Sequence, residues 1–139
     1  MSTEDNKLLV RRLFEEVLNQ RNLALIDEFF SPNHVEHAST GPVHGTEGMK
    51  QYYMIYLTAF PDTHYTVEDQ IAEGDKVVTR WTARGTHKGE LMGIPATGKQ
   101  GTVTGIGIVR FEGGKLVEAW TEFDALGMMQ QLGVVPAMR

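Results

Sequence analysis

The segment WTEFDALGMMQQLG, residues 120–133, sets a single carboxylate, Asp124, where an aromatic, strand-like run gives way to a methionine-rich one. An acid at such a joint has two uses. It can cap the helix that follows, since an Asp ahead of ALGMMQQL stands where a capping oxygen belongs. It can also face an apolar pocket, where desolvation holds a carboxyl group ready to pass a proton to and from carbon or oxygen. The two uses are compatible, and the local sequence leaves both open.

The histidines come next. His34, His37 and His44, with Glu36 among them, have the residue types of a metal site. On a strand, however, residues three apart point to opposite faces, so His34 and His37 cannot grip one ion together. No further ligand cluster follows, and no metal is expected. His87, in GTHKGELMG, reads as a strand-end residue bonded to a loop, and His64 as exposed. The chain has no cysteine, which excludes a thiolate nucleophile, a disulfide framework and a cysteine-based metal site. Phosphate-loop, dinucleotide and G-x-S-x-G spacings are absent as well.

Aromatic residues could wall such an acid. Strand alternation puts Trp81 on one face with Val77, Thr79, Ala83, Gly85 and His87, and Trp120 on one face with Leu116 and Asp124. Either tryptophan can be plain core, or part of an apolar wall that desolvates Asp124 and holds a planar ligand. A bulge between Trp120 and Asp124 would break the second alternation.

These side chains need elements to carry them. Apolar residues at helical spacing predict a helix over about 3–19 with Ser2 or Thr3 as cap, and a short one in NLALIDEFF capped by Asn22 and stopped at Ser31-Pro32. A third, capped by Thr46, carries the stripe Met49, Tyr52, Tyr53, Tyr56, Leu57 and Phe60 up to Pro61. That stripe is core, although a phenol from Tyr53 or Tyr56 can reach a pocket, because a buried hydroxyl needs a partner. NHVEHAS reads as a short strand and GPVHG as a loop. Four longer strands follow, the last two joined at Gly113-Gly114, and a helix over about 125–132 ends at Gly133 with Pro136 beyond.

Helices segregated from strands argue for an α+β fold in a single domain, residues 1–139: a curved antiparallel sheet wrapped around N-terminal helices, with a concave interior. The net charge of −5, with basic residues scattered, excludes a nucleic-acid footprint. No run approaches the ~18 apolar residues of a membrane span, and the N-terminus lacks the pattern of a signal peptide, so a cytoplasmic protein is expected.

The N-terminal helix leading into LALIDEFFSPNHVEH, then GPVHGTEGMKQYY, FPD, GTHKGELMGIPATGK and finally GIVRFEGGKLVEAWTEFDALGMMQQLG resembles, in this order and spacing, the SnoaL-like polyketide cyclases. These belong to the cone-shaped superfamily named for nuclear transport factor 2. The resemblance implies a cone with an internal pocket between the third helix and the sheet, and a homodimer. It implies intramolecular aldol chemistry on an apolar, carbonyl-bearing molecule, with no metal or organic cofactor. It also implies a general acid/base at the end of the last strand, which falls on Asp124. His37, Tyr53, Tyr56, Trp81, Gly105, Gly107 and Trp120 become the expected substrate-binding residues. The family's cyclases carry polar groups, including a histidine, at two positions of the preceding strand that are Gly105 and Gly107 here. These glycines give space and remove hydrogen-bonding groups, which keeps a second expectation open: a non-catalytic module that holds a small ligand or a partner protein. A hydrolase with paired aspartates around an arginine would need Arg80 or Arg84 inside, and alternation puts both on the outer face.

Overall fold

The computed structural model describes residues 2–135. Helix α1 spans Thr3–Arg12 and begins in a capping box, in which Asp5 N donates to Ser2 Oγ (3.0 Å) and Ser2 N donates to the Asp5 carboxylate (3.2 Å). The helix runs directly into a π-helical stretch, Leu13–Asn19, then a 3-10 turn at Leu23–Leu25 and the short α2, Ile26–Phe29. Strand β1 (Phe30–Ala38) forms a hairpin with β2 (Gly41–His44), so GPVHG is a strand rather than a loop. Helix α3 (Gly45–Ala59) follows. His44, not Thr46, takes the N-cap position, without a side-chain cap. Strands β3 (His64–Glu73), β4 (Lys76–Thr86), β5 (Gln100–Glu112) and β6 (Lys115–Phe123) form a meander, and α4 (Ala125–Gln131) completes the described chain. The expected stop at Pro136 lies outside the described residues.

The six strands form one sheet in the order β2-β1-β6-β5-β4-β3. The expected sheet was antiparallel throughout. Instead β1 lies parallel to β6, because the chain leaves β1 through α3 and the meander before its last strand returns alongside. The sheet is α+β in layout, curved and unclosed, with the helices across its concave side.

Two polar clamps hold the helical layer there. Asn19 exchanges hydrogen bonds with the Tyr65 backbone: its amide donates to the carbonyl (2.9 Å) and its oxygen accepts from N–H (2.7 Å). The Arg21 guanidinium donates to the carbonyls of Leu18, Asn19, Pro61 and Thr63. Two apolar clusters meet beneath this layer, one around Val10, Val17, Ile26, Phe30 and Met49, the other around Phe60, Leu91, Met128 and Leu132.

Strand β6 contains the feature that decides which side chains face inward. Phe111 pairs with Leu116 and Arg110 with Glu118, so Val117 is an extra residue, a bulge. Leu116 points inward, and past the bulge the inward positions are Ala119, Thr121 and Phe123. Trp120 and Glu122 are turned out. The bulge sits before Trp120, and simple alternation from Leu116 fails there.

Candidate active site

A cavity of about 130 Å³ lies between the concave face of the sheet, the π-helical segment and α3, with Met128 of α4 at one side. That is far above the ~10–15 Å³ that admits one water. Its wall is mostly aromatic and aliphatic. All four tyrosines of the chain, Tyr52, Tyr53, Tyr56 and Tyr65, line it, as do Phe14, Trp81 and Phe123. Phe14, Tyr65, Trp81 and Phe123 form a chain of ring contacts with centroids 5.6–6.4 Å apart.

Glu36 is the one carboxylate in this wall. It projects inward from β1 and is only 5% exposed. Its oxygens are held separately: Oε2 accepts from Thr121 Oγ1 on β6 at 2.6 Å, and Oε1 is 2.8 Å from Nε2 of His34, two residues earlier on the same face of β1. His34 is fully buried, packed edge-on against Phe30 at 4.7 Å, and its Nδ1 has no partner among the described residues. The parallel pairing of β1 with β6 creates this site, because it brings Glu36 beside Ala119 and within reach of Thr121.

The phenols around the carboxylate are held in their protonated form. Burial pushes Tyr65 up to about 12. Burial also raises Tyr52, Tyr53 and Tyr56. The charge of Glu36 adds a smaller upward push on Tyr52 and Tyr53, which marks these two as its electrostatic neighbours. The site therefore combines one fixed carboxylate with several O–H donors in apolar surroundings. Among the described residues, no group of three or more His, Asp or Glu is placed to hold a metal ion.

The family model for SnoaL-like polyketide cyclases matches residues 8–132. The chain belongs to the SnoaL-like polyketide cyclase family. AclR, a "putative hydroxylase" from Streptomyces galilaeus, is 30% identical over 99% of this chain and 91% of its own, with a TM-score of 0.88. IdmH, a "putative polyketide cyclase" from Streptomyces antibioticus, is 33% identical over 92% of this chain and 98% of its own, at 0.79. TsrD from Streptomyces laurentii is 29% identical over 97% and 99%, at 0.88. No curated protein matches the chain.

Within this SnoaL-like fold the expected site residues separate into three groups. Tyr53, Tyr56, Trp81 and Gly107 line the cavity as expected, and Gly105 lies directly beneath the Trp81 indole. His37 and Trp120 do not line it. They stack on each other on the outer face of the sheet, centroids 5.4 Å apart, because the Val117 bulge turns Trp120 outward and His37 is out of phase with Glu36. Asp124 is exposed and is not part of the cavity wall. Its carboxylate accepts from Gly127 N (2.9 Å) and caps α4. His87 is fully buried, and its Nδ1 meets Thr97 Oγ1 of the following loop at 3.1 Å, as its position suggests.

The sequence singles out His34 and Glu36 only as metal-like residues that cannot form a site with His37, and nothing in it points to Thr121 or Tyr65. One signal was available for Glu36: it shares a strand face with His34, and a face carrying two titratable groups invites a partner from a neighbouring strand.

Proposed function

We propose that this SnoaL-like protein is a cofactor-free acid–base enzyme that acts on an apolar, carbonyl-bearing molecule, and that Glu36, rather than Asp124, is its general base. The observation that carries the reading is a buried carboxylate in an apolar cavity, with each oxygen oriented by a different strand. Glu36 takes a proton from the carbon next to a carbonyl. O–H donors of the cavity wall, the Thr79 hydroxyl and the phenols of Tyr52 and Tyr53 among them, stabilise the oxygen as it gains charge, and both phenols are neutral across the working pH range. Ring closure by aldol addition then needs the proton returned to the new alkoxide, which the same carboxyl group can supply.

The test uses a probe instead of the unknown substrate: exchange of the acidic C–H of an aromatic 1,3-diketone in deuterated buffer, followed by proton NMR. The wild type should accelerate exchange. Glu36→Gln should lower it by at least ~10²-fold. Asp124→Asn should leave it unchanged, since Asn caps a helix about as well as Asp. Loss of exchange in Asp124→Asn with full exchange in Glu36→Gln would sink the assignment. A second reading, a ligand-binding module without turnover, is favoured by the engagement of both Glu36 oxygens. It predicts probe binding without any exchange.

The outer face supports the expected homodimer as a proposal of the same kind. His37, Trp120, Ile108, Val78 and Ile71 stand in register across five strands, with Ile71 69% exposed. Glu122 and Arg80 flank Ile106 symmetrically, so a two-fold axis at Ile106 sets each Glu122 opposite Arg80 of a second copy. Light scattering should give twice the chain mass, and Ile106→Lys should restore the monomer.

A further inference from the structure

Gly105 and Gly107 are alternate residues of β5 whose backbones face the interior, and the fold treats them differently. A Cβ at Gly105 would overlap the Trp81 indole at Cζ2, Cε2 and Cη2, and Trp81 is the residue directly opposite on β4. The missing side chain at 105 is filled by the tryptophan. Gly107 has no such neighbour. A Cβ there would meet only Trp120 O at 3.5 Å and Thr121 Oγ1 at 3.7 Å, ordinary contacts, and Gly107 borders the cavity. Packing does not require glycine at this position.

The register shows what surrounds the gap. Thr79 on β4 and Thr121 on β6 pair with Gly107 from either side. Two strand spacings separate their backbones by about 10 Å. Thr121 donates to Glu36 (2.6 Å), while Thr79 Oγ1 accepts from Gln70 Nε2 (3.4 Å) and donates to no acceptor among the described residues. The result is a notch with a glycine floor, a carboxylate at one end and a hydroxyl at the other.

We infer that Gly107 is the specificity-determining position of the cavity: its missing side chain is the berth for one edge of a flat, aromatic ketone, whose carbonyl oxygen is held at Thr79 while the adjoining carbon lies toward Glu36. The position of the reacting carbon rests on the role proposed for Glu36, and the berth itself is tested without turnover.

The probe is 2-acetylnaphthalene, titrated against quenching of tryptophan fluorescence, alongside thermal melting of each variant. Gly107→Ala should melt within about 3 °C of the wild type. Gly107→Val adds three carbons and should weaken probe binding by about tenfold or more, since a single methylene already does so in a fitted pocket. Gly105→Ala should lower the melting temperature by about 5 °C or more, and Trp81→Phe in the same chain should recover most of that loss. Glu36→Gln should keep the probe bound. Undiminished binding in Gly107→Val, a large melting loss in Gly107→Ala, or no binding by the wild type would each overturn the berth. Binding that fails only in Gly107→Val, with exchange unaffected in Glu36→Gln, would leave the berth standing and remove the role of Glu36.

Discussion

The molecule contains two His–Glu pairs with the same 2.8 Å separation, on opposite faces of one sheet. His34–Glu36 is buried inside, and among the described residues its only other hydrogen-bond partner is Thr121. His37–Glu118 lies outside, with the two side chains 42% and 28% exposed, and Glu118 shares its charge with Arg110. Distance alone ranks them equal. Burial separates them, because the outer pair can exchange a lost partner for bulk water, whereas the inner carboxylate is only 5% exposed. The inner pair is thus suited to hold a reactive carboxylate in one orientation, whereas the outer one belongs to a solvated surface.

The largest expected effect follows from removing one partner on each side. His34→Ala leaves the buried Glu36 short of a donor and should cost about 1–3 kcal/mol in urea unfolding. His37→Ala should be hard to distinguish from the wild type in the same measurement. Equal losses would erase the contrast.

An intermediate effect concerns the inner face alone. Every tyrosine of the chain lines the cavity, so phenolate absorbance in the ultraviolet reads the interior with no surface background. Burial raises the folded-state values above the unfolded one, to about 12 for Tyr65. The stability tied to the neutral phenols is therefore complete below about pH 10 and declines as pH rises through 12. Less phenolate should form at pH 11 in the folded protein than after denaturant is added to the same solution. Ordinary titration of the folded chain near pH 10 would mean that the wall is wet.

The smallest effect belongs to the outer pair. The hydrogen bond from His37, and then the one from Arg110, hold the Glu118 carboxyl below its ordinary value. That contribution is present above the unfolded carboxylate value and is lost as pH falls through the lower, folded one. Carbon-13 NMR should show Glu118 titrating higher in His37→Ala, and added salt should shrink the difference.

Much of this was legible in the chain itself. Helical stripes at 9–18 and 49–60 place the helical layer, and alternation in β4 correctly puts Val77, Thr79, Trp81 and Ala83 on the inner face. The site was less legible for two physical reasons. In β1 the apolar Val35 faces away from the cavity and the charged Glu36 faces into it, so polarity points the wrong way along that strand. In β6 a single extra residue, Val117, reverses every later position, and nothing in LVEAW marks it. Alternation says which residues share a face only while the register is unbroken. The capping role of Asp124 was one of its two foreseen uses, and its geometry needs only four consecutive residues.

Those four residues also bear on how function is assigned to relatives. The Asp124 carboxylate folds so closely over Gly127 that a Cβ there would overlap it, so D-A-L-G is a self-contained instruction for starting a helix. A chain sharing this signature inherits a structural punctuation mark, and the signature alone says nothing of the side chains that face its interior.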